Sequence, residues 1–466
     1  MSTFWTTRAA KHGDPASESP AAGPGSPDVS EPSSALLAGA SRVLITPPLG
    51  RPLAGYPQRK ERSSFIHDDL YLRALVLADE SGRYGLLSLD VMAVDVGWVE
   101  ELRRRAEAEL GIPPDHLLVA ATHTHSGHGE LLSFTGPIGA ALDTLFGESE
   151  GPHDPVAYEY LLRQALTGLR LAHASLSPAR LRLGSDELEG LASNRIDAAA
   201  GVDRRCVVAS LEGERTGPIA TIVHFTCHPS VLGDGDAGVS ADFPGVACRV
   251  VETAVGGVAL FLNGALGDVS TRFTRTGHGY EEAVRFGRML GGTALRALAT
   301  SRPIDRPALS AAVSVIELPP KDQRWVADAG DRAAHLRDQL HRAEAEGIDH
   351  GHLRQLKTAL QGAEIALALG PRLAALESVT LSVQRFDLGR ELTLVAFPAE
   401  LFSGLGMRLT QAHPEKTVLA VGPANGYLGY IPTEDAFDAS GYEADTCIVD
   451  RGAGEQLVSC VLEQLL

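Results

Sequence analysis

The stretch RYGLLSLDVMAVDVGWVEELRRRAEAELGIPPDHLLVAATHTHSGHGE, Arg83 to Glu130, decides the fold. An apolar run ends at Asp90. A segment with helical spacing follows (Val96, Val99, Leu102, Ala106, Leu110) and stops at Gly111. A second apolar run, Leu117 to Ala121, comes directly after. Strand, helix and strand at this spacing make an α/β unit. The second strand then runs into His123, His125 and His128, which a buried strand does not explain.

Side chains two apart on an extended segment face the same way, so His123 and His125 are expected to point at one spot. Neutral imidazole is the commonest metal ligand, and function concentrates in loops at strand ends. The competing reading is a polar loop whose histidines are satisfied locally. A second apolar strand, PIATIVHFTCH, carries His224 and has His228 at its exit. Alone, His228 is as well explained by structure as by function; beside an H-x-H pair it is the natural second ligand. The carboxylate comes from LVAFPAELF, where Glu400 is hemmed in by apolar neighbours. A buried carboxylate needs a partner, either a metal or an arginine. Two His and one Glu form a known zinc set with a position left for water or substrate.

Two further stretches stand out. LNGALGDVSTR places Asp268, Ser270 and Arg272 beyond a strand, and matches neither a nucleophile elbow nor a phosphate loop. NGYLGYIPTEDAFDASGYEADT gathers Tyr427, Tyr430 and Tyr442, a composition that suits a site wall or a loop clamp.

Outward from these motifs, residues 1 to 37 are rich in Pro, Ser, Gly and Ala and are expected to form a disordered tail. Order is expected from Ser41, in one domain over residues 38–466. Residues 136–154 are expected to form a Gly-rich surface or lid loop, and Asp242 to cap a helix with Pro244 in its first turn. Residues 322–370 predict a helical hairpin. The fold class is α/β, a single large domain with a mixed β-sheet core flanked by helices. The formal charge of −18 argues against sequence-independent nucleic-acid binding. No apolar run is long enough to span a membrane. The first twenty residues show no signal pattern, so a cytoplasmic location is expected. The five cysteines form no C-x-x-C pair and are expected to be mostly small buried hydrophobes.

The blocks ITPPLGRPLAGY, IHDDLYLRALVL, ATHTHSG, ASNR, HFTCHPS…SADFPGVACRVVE, FLNGALGDVS, FPAELFSGLGMRL and YLGYIPTEDAF…GYEA occur in this order. Together they resemble the neutral/alkaline ceramidase family over roughly residues 40–450, with the hairpin as an apparent insertion. The resemblance implies a zinc-dependent amidase. It implies that His123, His228, Glu400 and Tyr430 hold Zn2+, and that His125, Arg195, Ser270 and Tyr442 are the other catalytic positions. His128 and Thr271 stand where the family has proline. The expected activity is cleavage of an amide bond in a small-molecule N-acyl substrate. The alternatives are a metal-dependent esterase or lactonase, an acyl-transfer or cyclisation enzyme using Ser270, and a non-catalytic binding protein of the same fold. Whether the substrate is a lipid, and whether the chain forms a homo-oligomer, stay open.

Overall fold

The computed structural model describes residues 36–56, 59–129, 154–305, 307–348, 350–438 and 441–466. The expected tail lies outside the described residues up to residue 35, and so does the Gly-rich loop apart from Asp154. Eight long strands build the main sheet: β1 (Leu37–Leu44), β2 (Tyr71–Asp79), β3 (Gly82–Leu89), β4 (Leu117–Ala121), β5 (Ser177–Glu187), β6 (Arg205–Gly213), β7 (Gly217–Phe225) and β8 (Val258–Asn263). Their order is β8-β7-β6-β5-β1-β2-β3-β4. The two outermost pairs, β3–β4 and β7–β8, are parallel, and the pairs between them are antiparallel. The first described strand starts at Leu37, earlier than Ser41.

Each parallel pair needs a crossover, and each crossover is a helix. Between β3 and β4 runs α1 (Val96–Leu110), which buries Trp98, Val99, Leu102 and Ala106. Asp95 caps it by accepting from the Trp98 N–H, and Gly111 ends it at φ 63. The next helix, α2 (Pro155–Ala174), is capped by Asp154. Between β7 and β8 runs α3 (Asp242–Val255), packed against α4 (Tyr280–Ala299). Asp242 is not the cap: the helix starts on it, with Ala241 before it. Its carboxylate instead accepts the N–H groups of Val231, Leu232 and Phe243, tying down the loop that leaves β7.

A second sheet holds β9 (Leu309–Leu318), β10 (Val379–Leu388), β11 (Leu392–Ala396) and β12 (Thr417–Val421) in that order. Its parallel pair β11–β12 is bridged by α7 (Ser403–Ala412). Between β9 and β10 stands the hairpin, α5 (Gln323–Ala345) and α6 (His350–Leu373). This hairpin leans on the short helix α8 (Tyr442–Thr446), which precedes the last helix, α9 (Ala453–Gln464). Asp445 of α8 accepts from Trp325 Nε1 (3.0 Å) and pairs with Arg332 (2.6 Å). Gly362 is where the two elements touch; a Cβ there would lie 3.0 Å from the Tyr442 Cα. Lys321 is buried and donates to the carbonyls of Asp445 (2.7 Å) and Cys447 (3.1 Å).

The strand exits are stitched together. Asn263, ending β8, donates to the carbonyls of Thr122 (3.2 Å) and Cys227 (2.9 Å). Gly422 N–H donates to the Asn263 carbonyl (3.0 Å), and Ala121 N–H to that of Pro423 (3.1 Å). The ends of β4, β7, β8 and β12 therefore meet in one place, and ligands of open α/β sheets bind beyond such carboxyl ends.

Inside the sheet, Arg73 and Asp90 form a fully buried pair at 2.8 Å, and Asp90 also accepts the Tyr71 N–H. Removing one partner of such a pair leaves an uncompensated charge. Arg73→Leu is therefore expected to lower the unfolding free energy by about 3–5 kcal/mol. Denaturant unfolding checks this; a loss under about 1 kcal/mol, the size of an exposed pair, would contradict it.

Candidate metal centre

The chain leaves β4 through a strained residue. His123 has φ 70, a left-handed conformation that costs a non-glycine residue of order 1–3 kcal/mol and persists only where its surroundings enforce it. Its N–H is held by the Val91 carbonyl (2.9 Å). The segment is therefore a turn and not the extended strand expected from the H-x-H spacing. The turn still brings the rings together, with the Nε2 atoms of His123 and His125 3.5 Å apart. His128 faces away and meets the Ile45 carbonyl at 2.5 Å. His224 is also turned elsewhere, onto the Ala420 carbonyl at 2.8 Å.

His228 joins from the exit of β7. One ligand atom from each of His123, His125 and His228 lies within 4.8 Å of the others, a group that could hold a metal ion. The orientation of two of the rings is fixed by their other nitrogen. His123 Nδ1 contacts the Met92 carbonyl (2.7 Å), and His228 Nδ1 contacts those of Leu266 (2.8 Å) and Val269 (3.0 Å). A carbonyl only accepts, so both Nδ1 atoms carry a hydrogen, and in the neutral form each ring turns an Nε2 lone pair inward.

Glu400 faces those lone pairs. Its Oε2 lies 2.8 Å from His228 Nε2 and 3.5 Å from His123 Nε2, yet among the described residues no donor is aligned to bond it. Its Oε1 accepts from the Tyr427 hydroxyl at 2.5 Å. Burial, with Arg195 second, lowers the pKa of His228 to about 4, so a proton on its Nε2 is disfavoured. Burial pushes Glu400 upward, but the facing His123 and His228 hold it well below its usual range. In their neutral forms both rings aim a lone pair at this carboxylate oxygen, and Arg195 Nη1 stands 3.4 Å from His228 Nε2. This donor set fits a divalent cation, which would satisfy all three at once.

The remaining expected residues line the same place. Arg195 pairs through Nε with Glu443 (2.8 Å) and donates from Nη2 to the Gly267 carbonyl (2.7 Å). Its guanidinium stands 5.4 Å from the centre of the Tyr430 ring. Tyr430 and Tyr442 meet edge to face at 6.1 Å. Burial and then Glu400 push both hydroxyls far above 10, so both stay protonated. The hydroxyl bonded to Glu400 is that of Tyr427, not Tyr430. Ser270 is buried; its Oγ accepts the Arg272 N–H (3.2 Å), and among the described residues no histidine bonds to it. Asp268 braces the whole: it accepts from Asn194, Ser403 N–H and the Ser403 hydroxyl, and its carbonyl accepts the Arg195 N–H.

Sequence reasoning gave no specific role to three functional neighbours. Glu443 neutralises Arg195, Tyr427 anchors Glu400, and Tyr56 packs its ring 5.1 Å from that of His125. Only Tyr427 carried a signal, as a member of the tyrosine-rich block.

The fold and site define an α/β protein with a candidate metal centre where several strands end. The chain belongs to the neutral/alkaline non-lysosomal ceramidase family, whose N-terminal model matches residues 37–279, just over half of the chain. Glu400, Tyr427, Tyr430 and Tyr442 lie beyond that match. A neutral ceramidase of Mycobacterium tuberculosis is 25% identical over 225 residues, 44% of this chain and 34% of that protein. One from Drosophila pseudoobscura pseudoobscura is 33% identical over 98 residues, 20% of this chain and 14% of that protein. The matched stretches therefore span about a third or less of these relatives. The crystal structure of neutral ceramidase from Pseudomonas aeruginosa shares the fold, with TM-score 0.72 and 18% identity over 93% of this chain and 75% of that one.

The purified protein is expected to retain close to one equivalent of a divalent metal per chain, measured by plasma mass spectrometry. His123→Ala and Glu400→Gln are expected to reduce this to background. His128→Gln, altering a ring that faces away, is expected to leave it unchanged.

Proposed function

We propose that this chain is a zinc-dependent hydrolase that cleaves the amide bond of an N-acyl substrate. The observation that carries the reading is the unpartnered Glu400 Oε2 facing two inward imidazole lone pairs. Membership of the ceramidase family supports it. His123, His228 and Glu400 would hold the ion, with Tyr430 as the fourth ligand that the family resemblance implies. When bound, zinc supplies Lewis-acid polarisation of a carbonyl and acidifies water.

The other steps belong to side chains. His125 is half-buried, and burial with its two neighbouring histidines holds it well below 6.5, so it rests neutral, and the proton it takes is held only in passing. It accepts the proton of the attacking water and returns it to the leaving amine. Tyr442, held protonated, donates to the oxyanion that develops on the amide oxygen. Arg195, its charge matched by Glu443, orients a neutral polar group of the substrate and steadies Tyr430. Ser270 lacks a base in contact and serves as a positioning hydroxyl, which favours hydrolysis by water over an acyl-serine route. Tyr427 keeps Glu400 aimed inward.

Tyr442→Phe is expected to lower kcat on an N-acyl amide by about 100-fold or more while metal content is retained. Steady-state kinetics beside metal analysis checks this. Chelation is expected to abolish turnover and added zinc to restore it; full activity in a metal-free preparation would remove the reading.

A further inference from the structure

The chain carries 59 acidic and 41 basic side chains, and most arginines near the centre have a carboxylate of their own. Arg195 has Glu443, Arg249 has Asp68, and Arg285 has Glu282. Arg272 and Arg275 differ. Among the described residues neither has a carboxylate within ion-pair distance, and each side chain makes one hydrogen bond, to a main-chain carbonyl. Arg272 Nη1 donates to the carbonyl of Arg195 (3.0 Å), and Arg275 Nη1 to that of Ser230 (3.2 Å). Most of each guanidinium fork is left over.

Those carbonyls place both arginines at the site. Ser230 follows His228 by two residues, and its carbonyl also receives the hydroxyl of Tyr56, whose ring packs on His125. Pro229, between them, holds the His125 N–H. Arg354 of α6 joins from the hairpin, with Asp234 at 4.0 Å, the outer limit of an ion pair. Arg272 is exposed and Arg275 half-buried; partial desolvation first, and then neighbouring guanidiniums, lower the pKa of both.

The acidic groups that face this cluster are committed elsewhere. Glu443 is on Arg195, Glu282 on Arg285, and Asp242 on three main-chain N–H groups. Asp234 alone stands beside the rim, and its side chain is exposed. Gathering like charges is unfavourable without an anion to offset it.

Resting on the amidase reading, we infer that Arg272, Arg275 and Arg354 form a subsite for an anionic group, a carboxylate or phosphate, on the N-acyl substrate. Arginine forks match both oxyanions. Arg195 does not serve this purpose, because Glu443 already neutralises it. Arg272 rests on the carbonyl of Arg195 and Arg275 on that of Ser230, two residues after His228, which sets the anion beside the centre.

The test compares N-dodecanoylglycine with N-dodecanoylethanolamine, equal in chain length and differing in charge. The wild type is expected to prefer the acid by about tenfold or more in kcat/KM, and the preference to shrink as salt is raised. Arg275→Gln and Arg272→Gln are expected to collapse the preference, mainly through KM for the acid. A wild type with no preference, or variants that lose both substrates equally, would overturn the subsite. If neither compound is cleaved, the amidase reading fails, and calorimetric binding of the two compounds decides the subsite separately: binding of the acid unchanged by Arg275→Gln overturns it. Binding to anionic vesicles that is lost in the variants, with substrate preference intact, would assign the arginines to a lipid surface and also overturn it.

Discussion

The constraint on which the rest depends is the commitment of two Nδ1–H groups. Once His123 gives its hydrogen to Met92 and His228 gives its own to the Leu266 and Val269 carbonyls, both rings must present lone pairs to the same point. Glu400 adds a third acceptor there, with Oε2 bare and Oε1 fixed by Tyr427. Burial prevents water from compensating and disfavours a proton on His228. Such an arrangement stores repulsion unless a cation occupies it. The left-handed backbone at His123 shows that the fold spends further energy to keep the ring in place.

The architecture explains why the three acceptors meet. Each comes from the far end of a parallel strand pair: His123 after β4, His228 after β7, Glu400 after β11. The Asn263 side-chain amide and the main chain of the Gly422–Asn425 turn stitch these exits together, and Asp268 braces the segments of Arg195 and Ser403. The hairpin has a mechanical place in this scheme. Through Trp325, Arg332 and Lys321 it holds α8, the helix that presents Tyr442 and Glu443.

Local pattern was enough for the elements and for the histidines and glutamate that gather at the candidate centre. Apolar periodicity placed α1 and its flanking strands, and three histidines after a buried run marked the centre. Glu400 stood out as a carboxylate among apolar residues. What the chain hid were contacts between distant segments. The Arg195–Glu443 pair changes Arg195 from a free cation into a neutralised one, and no local spacing announces it. The hairpin was legible as two helices but not as the support of α8, because Asp445 and Arg332 are joined only by the fold. His123 and His125 do converge, though by a strained turn and not by strand alternation. His224, four residues before His228 and on the strand that His228 leaves, is taken up by the Ala420 carbonyl.

The same centre organises its surroundings into roles that differ by charge state. Buried phenols stay protonated and can donate, the His125 ring stays neutral and can accept, and the unpaired arginines collect at the rim. The most direct measurement is an anomalous-difference map at the zinc edge from a crystal of the zinc-loaded protein. The account predicts one strong peak between His123 Nε2, His228 Nε2 and Glu400 Oε2. No peak there at full zinc loading, or a peak elsewhere with His228 and Glu400 bonded only to each other, would contradict it.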